Sequence, residues 1–283
     1  MSHLKVAAIQ MQSGREPERN IVFVQNAVRE AALSGAQYIQ TPEMTGMLVR
    51  DRAEMLEKVR RQKDDALVAA ASDLAKTHGI HLHIGSTAIL RDDGKIANRA
   101  FLFGPDGALI TIYDKIHMFD VDLDNGESWR ESATYEPGTK AVVATLPFGK
   151  LGFGVCYDVR FPQLFREEAL SGAQILTAPA AFTKQTGDAH WHALQRSRAI
   201  ENGAFMISAA QAGHHEDGRE TFGHSMVVNP WGHMMAVANG TEPETIFAEI
   251  DLSEVSAARK KIPNLKNARA FSLELVESEA RLL

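Results

Sequence analysis

The chain is poor in cysteine, since its 283 residues include only one. A single thiol excludes an intramolecular disulfide framework and a zinc cluster built on cysteines, and it is typical of a reducing compartment. The chain also lacks an excess of basic residues. Its formal net charge is -6, and no basic run is interleaved with aromatics, which argues against a nucleic-acid partner.

Long apolar runs are missing as well. No window approaches the roughly 18 consecutive apolar residues that a membrane-spanning helix needs. The N-terminal stretch MSHLKVAAIQMQ has no basic region followed by the apolar core of a signal peptide. We therefore expect a soluble cytoplasmic protein that binds neither nucleic acid nor membrane.

No linker rich in Pro, Gly or Ser divides the chain, and an internal repeat indicates two similar halves. The segment REAALSGAQYIQTPE (29–43) recurs 137 residues later as REEALSGAQILTAPA (166–180), with eight of the first nine positions identical. An apolar run precedes each copy, LKVAAIQM in the first and KLGFGVCY in the second. The repeat predicts two strand-helix-strand units related by a pseudo-twofold axis within one domain.

The apolar patterns around the repeat predict alternating strands and helices. Residues 4–11 and 36–43 are typical of buried strands, and residues 64–78 of an amphipathic helix that ends at Gly79. Asp-Gly turns in RDDGK and GPDGA predict antiparallel hairpins, and a polar tail is expected after the last predicted strand, TIFAEIDL. Mixed sheets with helices on one flank must cover their other face, which predicts an α/β fold, a four-layer α/β/β/α sandwich.

Three reactive side chains lie at predicted strand ends: Glu43, Lys115 and Cys156. A carboxylate, an ammonium and a thiol suffice for acyl transfer, with the glutamate as general base and the cysteine as nucleophile. The lysine and the backbone N–H of Tyr157 would stabilise the oxyanion. The second copy of the repeat has Ala180 in place of Glu43, and packing alone gives no reason for that difference. A solvated glutamate and a structural cysteine are the alternatives.

Five successive segments resemble the signatures of the nitrilase, or carbon-nitrogen hydrolase, superfamily, specifically its Nit amidase branch. They are TPEMTG, YDKIHMFDVD, GFGVCYDVRFPQL, AHWHALQRSRAIEN and GHSMVVNPWG. The resemblance implies a catalytic triad of Glu43, Lys115 and Cys156, with Glu131 as a second active-site glutamate. It also implies the nitrilase fold in a single domain over residues 1–283, with a tail from about 264, assembled as a homodimer or higher homo-oligomer.

The expected substrate follows from two further segments. CYDVRFPQ differs from the Trp-Glu that follows the cysteine of true nitrilases and from the Arg pair of many carbamoylases, which implies an amide substrate. AAQAGHHEDGRETFGHSMVVNPWG is more similar to amidases that act on deaminated glutathione than to ω-amidases. Deaminated glutathione is therefore expected, with α-ketoglutaramate or succinamate-like ω-amides as the alternative. A nitrile hydrolase and a catalytically silent interaction protein are further alternatives.

Four residues near the nucleophile and the second repeat are candidates for substrate binding: Tyr157, Arg160, Phe182 and Thr183. Arg160 would hold a substrate carboxylate in a bidentate fork, or else form a structural salt bridge with a nearby aspartate. The expected partners are a small amide substrate and water.

Histidines offer the only metal-like pattern, because His81 and His83 alternate along a predicted strand and so face one side. No carboxylate or third imidazole stands at ligand spacing, so we predict no metal and no cofactor. His117 follows Lys115 by two positions and is expected to brace that loop through hydrogen bonds.

Overall fold

The fold is built from two large sheets and the helices that cover them, and two small two-stranded sheets accompany these. The computed structural model describes residues 3–123, 126 and 128–276. In chain order its strands are β1 (His3–Gln10), β2 (Tyr38–Gln40), β3 (Arg60–Arg61), β4 (His81–Leu90), β5 (Ile96–Phe103), β6 (Leu109–Asp114), β7 (Asp120–Asp122), β8 (Ser128–Arg130), β9 (Val143–Leu146), β10 (Gly149–Phe153), β11 (Ile175–Thr177), β12 (Phe205–Ser208), β13 (Ala212–His214), β14 (Glu220–Phe222), β15 (Met226–Val228), β16 (Met234–Val237) and β17 (Glu244–Asp251). Its α-helices are α1 (Pro17–Leu33), α2 (Arg52–Lys58), α3 (Ala66–His78), α4 (Pro162–Leu170), α5 (Lys184–Asn202) and α6 (Ser253–Lys261). Short 3-10 helices span Gln62–Asp64, Glu131–Ala133 and Cys156–Arg160. The two small sheets are the pairs β7-β8 and β13-β14.

The two sheets repeat one pairing pattern, as the internal repeat predicts. The first has the order β17-β1-β2-β4-β5-β6, with β3 paired to β4, and the second has the order β9-β10-β11-β12-β15-β16. In both orders the successive pairs are antiparallel, parallel, parallel, antiparallel and antiparallel. Val6 pairs with Tyr38, and Leu151 pairs with Ile175. Tyr38 and Ile175 are 137 positions apart, so the strand register agrees with the sequence repeat.

The sheets pack face to face, and the helices cover their outer surfaces. Along β1, Leu4, Val6 and Ala8 join the core that lies between the sheets. Ala7 and Ile9 instead face the helices α1 and α3. This alternation is the period of two expected for a strand buried on both faces. Helices α4 and α5 cover the second sheet, which completes the predicted four-layer α/β/β/α sandwich.

Local signals fix the ends of helix α3. The Asp65 side chain precedes the helix and accepts a hydrogen bond from the Val68 N–H at 3.0 Å, which satisfies a donor that the first turn leaves free. The helix ends at Gly79, whose φ of 64° lies in the left-handed region that glycine adopts without strain. The helix predicted over 64–78 therefore forms, two residues shorter at its start.

A close approach between the sheets depends on one glycine of β4. A Cβ at Gly85 would lie 2.1 Å from the Thr41 carbonyl oxygen and 2.5 Å from the Pro179 Cβ. Thr41 ends the first repeat strand and Pro179 stands at the equivalent turn of the second. The missing side chain therefore lets these two turns meet, which matters below because one of them carries Glu43.

Some elements differ from the sequence expectation. The hairpins β4-β5 and β5-β6 are antiparallel as predicted. The chain after β17, predicted as a polar tail, instead forms α6 before an exposed stretch over 262–276. Only Val255 and Ala258 of α6 are buried, so its apolar pattern was too sparse to predict a helix.

His81 and His83 do face the same side of β4, towards the second sheet. The His81 ring lies 5.1 Å from the Phe148 ring, and the His83 ring 5.0 Å from the Phe153 ring. The His83 Nδ1 is 2.7 Å from the Tyr38 hydroxyl, and burial lowers the pKa of His83 to about 3. Both histidines are therefore neutral groups of the core. Over residues 3–123, 126 and 128–276, no three His, Cys, Asp or Glu side chains cluster as a metal site would require.

Helices long and apolar enough to cross a bilayer do not occur in the part of the chain that the structure describes.

Candidate active site

A cavity of about 250 Å³ opens where strand ends of the two sheets meet, and all four predicted catalytic residues line it. Glu43 follows β2, Lys115 follows β6 and Cys156 follows β10, while Glu131 opens a short 3-10 helix after β8. Carboxyl ends of parallel strands are where α/β sheets place their binding sites. The fold thus brings together side chains that are up to 113 positions apart (156 - 43).

Lys115 is the centre of the cluster and is only 2% exposed. Its Nζ donates hydrogen bonds to the Glu43 Oε1 at 2.9 Å and to the Glu131 Oε1 and Oε2 at 3.0 and 2.8 Å. Burial would lower the pKa of Lys115, but the Glu131 and Glu43 carboxylates outweigh burial and raise it well above its usual value. The buried lysine is therefore an ammonium held between two carboxylates.

Glu43 is poised beside the thiol. Its Oε2 accepts a hydrogen bond from the Ala181 N–H at 2.8 Å, and the Cys156 thiol is within hydrogen-bonding reach of the same carboxylate. Burial alone would raise the pKa of Glu43, but the Lys115 ammonium and these donors hold it below its ordinary value. Glu43 is therefore an ionised proton acceptor at neutral pH.

Cys156 sits at a sharp turn between β10 and a 3-10 helix. Its φ of 49° is left-handed, a conformation that costs a residue with a side chain on the order of 1 to 3 kcal/mol and that clusters at functional sites. The Cys156 N–H donates to the Pro179 carbonyl at 2.9 Å. Burial and the nearby Glu43 raise the pKa of the thiol well above its usual value, so the resting group is a neutral thiol.

Asp158 ties this turn to the loop after Lys115. Its Oδ2 accepts hydrogen bonds from the Val155 N–H at 2.9 Å and the Tyr113 hydroxyl at 2.7 Å. Its Oδ1 accepts from the His117 N–H at 3.0 Å and lies 2.6 Å from the His117 ring Nδ1. His117 therefore braces the loop as predicted, through a carboxylate buried beneath the cysteine.

The predicted substrate-binding residues divide into two groups. Tyr157, Phe182 and Thr183 line the cavity. Arg160 is absent from its wall; the guanidinium lies 5.1 Å from the centre of the Phe182 ring and 3.3 Å from the His190 Nδ1. The aspartate salt bridge that was the alternative for Arg160 does not form among the described residues. Its guanidinium lies against the rings of Tyr157 and Phe182, which line the cavity, and its role in substrate binding stays a prediction.

Other cations do line the cavity, and sequence reasoning did not identify them. Arg50 and Arg219 lie on the Trp129 ring, with guanidinium carbons 4.8 and 5.0 Å from its centre. Arg219 also binds Asp217 at 2.7 Å, whereas Arg50 has no carboxylate partner within the residues that the structure describes. Arg50 lies in the loop before α2, Trp129 on β8 and Arg219 directly before β14. No rule of sequence spacing connects these three places.

Asn98 is a further residue that sequence reasoning missed. It lies on β5, and its side-chain amide contacts both Glu43 and Glu131. The available signal was a buried amide beside Arg99 in the largely apolar strand ANRAFLF.

Comparisons with known proteins show the family of the chain. The family model described as carbon-nitrogen hydrolase matches residues 5–260. The deaminated glutathione amidase of Yersinia enterocolitica is 37% identical over 278 residues, covering 96% of this chain and 95% of that protein. The omega-amidase NIT2 of Homo sapiens is 36% identical over 272 residues, covering 95% of this chain and 96% of that protein.

Solved structures share the fold. Nit3 of Saccharomyces cerevisiae, a member of branch 10 of the nitrilase superfamily, has a TM-score of 0.83 and 30% identity, covering 93% of this chain and 95% of that chain. A variant amidase from Nesterenkonia sp. AN1 carries the acetamide moiety of fluoroacetamide on its active-site cysteine. It has a TM-score of 0.79 and 25% identity, covering 95% of this chain and 94% of that chain.

The fold and its cluster of thiol, ammonium and carboxylates define a hydrolase that acts on carbon-nitrogen bonds. The chain belongs to the carbon-nitrogen hydrolase family, with Nit amidases among its relatives, as the five sequence segments implied. The single-domain boundaries, the homodimer and the cytoplasmic location stay predictions.

Proposed function

We propose that the chain is a thiol amidase that cleaves a small carboxylate-bearing amide, most favourably deaminated glutathione, through a thioester on Cys156. The observation that carries this proposal is the buried cluster in which Lys115 joins two carboxylates beside a neutral thiol. A neutral thiol is a weak nucleophile, so it needs a base within reach, and Glu43 occupies that position.

In the acylation step, the Glu43 carboxylate takes the thiol proton while the Cys156 sulfur attacks the amide carbon. The carbonyl electron pair moves onto oxygen, and the Lys115 ammonium and the Tyr157 N–H stabilise the resulting oxyanion. The Tyr157 N–H has no acceptor among the described residues, which leaves it available for this role. When the oxyanion collapses, the C–N bond breaks and the proton on Glu43 passes to the departing nitrogen.

In the deacylation step, the Glu43 carboxylate takes a proton from water, and the resulting hydroxide attacks the thioester. Collapse of this second oxyanion breaks the C–S bond, and the proton returns to sulfur. Glu131, with both oxygens on the Lys115 Nζ, keeps the ammonium in place through both steps. The products are a carboxylic acid and an amine or ammonia.

The cavity wall supports a carboxylate-bearing substrate. Arg50 and Arg219 face the cavity beside Trp129, and cations of this kind bind carboxylates through charge-assisted hydrogen bonds. Arg219, Glu220 and Thr221 belong to the segment whose sequence resembles deaminated-glutathione amidases, and all three line the cavity. The segment is thus placed to select the substrate. We assign the carboxylate to Arg50 in preference to Arg160.

Deaminated glutathione and α-ketoglutaramate carry the same acyl group and differ in the leaving amine, so one pair of assays separates the two candidates. We expect purified protein to release cysteinylglycine from deaminated glutathione with a higher kcat/KM than it releases ammonia from α-ketoglutaramate. Cys156→Ser is the inactive control. Turnover of α-ketoglutaramate alone would make the protein an ω-amidase, as its similarity to NIT2 also allows.

Two results would remove the amidase assignment. Hydrolysis of nitriles with no turnover of either amide would favour a nitrile hydrolase. Inertness towards both classes, with no covalent adduct on Cys156 from an electrophilic amide, would leave a silent protein that keeps the fold for contact with other proteins.

A further inference from the structure

Asn98 occupies a position that the proposed mechanism leaves without a role. It is 1% exposed, and its Nδ2 lies 2.9 Å from the Glu43 Oε1 and 3.1 Å from the Glu131 Oε1. Both neighbours are carboxylate oxygens, which only accept hydrogen bonds. The amide orientation is therefore set by chemistry, with the NH₂ group directed at the two glutamates.

The two oxygens that accept from Asn98 are also bound by Lys115. The Lys115 Nζ lies 2.9 Å from the Glu43 Oε1 and 3.0 Å from the Glu131 Oε1. Two donor nitrogens and two acceptor oxygens thus alternate in a closed ring. The main-chain carbonyl oxygen of Asn98 also accepts a hydrogen bond from the Lys115 backbone N–H at 2.9 Å. Strand β5 therefore holds the main chain of the lysine as well.

This ring leaves a single Glu43 oxygen for the thiol. Because the Oε1 is bound by Asn98 and Lys115, the carboxylate plane is fixed, and the Oε2 remains beside the Ala181 N–H and Cys156. A donor to each of two adjacent carboxylates also opposes their mutual repulsion. Lys115 donates one hydrogen bond to the Glu43 Oε1 and one to the Glu131 Oε1. Asn98 donates a second hydrogen bond to each of these oxygens and adds no charge.

We propose that Asn98 is a positioning residue that orients Glu43 towards the Cys156 thiol and keeps the Glu43 carboxylate ionised beside Lys115. This inference rests on the proposed function of Glu43 as the base. Four titratable groups face Glu43: Lys115, Glu131, Cys156 and Tyr135. Asn98 donates to Glu131 as well as to Glu43, so a shift of the acidic limb in the Asn98 variants reports the hydrogen bonds that both carboxylates lose.

The sign of that shift is fixed. Asn98 donates to the ionised form of Glu43, so its loss raises the Glu43 pKa. The Glu43 of the variant is therefore protonated at a higher pH than the Glu43 of the wild type. The acidic limb of any reaction that depends on Glu43 therefore moves to higher pH in Asn98→Leu, by about one pH unit for a buried hydrogen bond to a charge. Asn98→Asp, which adds a third carboxylate in the same volume, moves it further.

The experiment follows alkylation of Cys156 by iodoacetamide in the full-length protein as a function of pH, with mass spectrometry of the Cys156 peptide. This reaction needs the base and the thiol but not the amide substrate. Wild-type protein is expected to show an acidic limb, and both Asn98 variants an upward-shifted one, with a rate at low pH about tenfold below wild type.

A matched control is Asn202→Leu. Asn202 is equally buried, and its Nδ2 donates to the Arg198 carbonyl at 2.9 Å, but it does not line the cavity. It is expected to lower the unfolding temperature and to leave the limb in place.

The outcomes separate the two claims. A wild-type profile that rises only where the thiol itself ionises at alkaline pH, with no separate acidic limb, overturns both the base role of Glu43 and the role of Asn98. A wild-type limb that stays unmoved in Asn98→Leu and Asn98→Asp overturns the role of Asn98 alone. If Asn98→Leu does not fold, Asn98→Asp, which has the same shape, decides the question.

Discussion

Two buried carboxylates of this molecule have opposite electrostatic surroundings. Glu43 is 4% exposed and Glu168, on α4, is 1% exposed, so burial alone would raise the pKa of both. Glu43 has the Lys115 Nζ at 2.9 Å, and its pKa is held low. The Glu168 carboxylate accepts a hydrogen bond from the Phe153 N–H at 3.0 Å, which lowers its pKa less than burial raises it. Glu168 also faces the Asp158 carboxylate, so its pKa lies well above the usual range. Burial alone therefore does not keep a carboxylate ionised and able to act as a base. The Lys115 ammonium beside Glu43 does so.

The same lesson applies to the two halves of the fold. Both halves place a strand end at the cavity, but the first ends in Pro42 and Glu43, whereas the second ends in Pro179 and Ala180. The same strand order occurs in both halves, but the carboxylate occurs only in the first. The reacting carboxylate is thus a point at which the two halves differ.

The largest expected effect tests the comparison between Glu43 and Glu168. Glu43→Gln keeps the shape of the side chain but cannot accept the thiol proton, so kcat/KM for the amide should fall about 1000-fold, within the range for a lost general base. Glu168→Gln makes the same chemical change at the other carboxylate and should keep wild-type activity. Steady-state kinetics of the two variants measure this contrast, and equal losses in both would refute it.

The next effect removes the cation. Lys115→Gln should lower kcat by about 100-fold to 1000-fold, since one oxyanion donor is lost. It should also reduce the free energy of unfolding by about 3 kcal/mol at neutral pH, because two carboxylates then stay buried without their partner. Kinetics and chemical denaturation test both values. Activity within tenfold of wild type would show that Lys115 is structural.

A smaller effect separates the cations on the cavity wall from those beside it. Arg50→Gln should raise KM for a carboxylate-bearing amide about tenfold while kcat changes little, as loss of uniform binding does. Arg160→Gln should change KM much less, because Arg160 is not among the residues that line the cavity. A larger KM effect at Arg160 would return the carboxylate site to the position that the sequence suggested.

The smallest effect concerns stability. An acid whose pKa is higher in the folded chain loses folding stability as pH rises from its unfolded pKa, about 4.3, through its folded value. Glu168→Gln removes that loss, so the variant should be more stable at neutral pH by on the order of 1 kcal/mol, with the advantage shrinking towards acid. Denaturation at several pH values measures this. An advantage that grows towards acid would mean that Glu168 is ionised in the fold.

Much of the scaffold was predictable, because it depends on periodic apolar residues and turn signals. The repeat predicted the paired halves and the Asp-Gly turns predicted the hairpins, whereas the cluster of Glu43, Lys115 and Cys156 was implied by the resemblance of five sequence segments to the carbon-nitrogen hydrolase superfamily. These signals are local, so they survive without knowledge of the packing.

The rest depends on packing between distant segments. Asn98 reaches Glu43 only because β5 lies beside β4, and Arg50 meets Trp129 only across a turn that no periodicity describes. The role of Arg160 stays a prediction for the same reason, because its guanidinium lies against the cavity-lining rings of Tyr157 and Phe182 without itself lining the cavity.

The central claim is that the Glu43, Lys115 and Cys156 cluster forms a thioester with an amide substrate. Mixing the protein with deaminated glutathione, quenching with acid within the first turnovers and analysing the Cys156 peptide by mass spectrometry tests it most directly. The account predicts a mass increase equal to the acyl group of the substrate, absent in Cys156→Ser. Turnover without any acyl group on that peptide would contradict it.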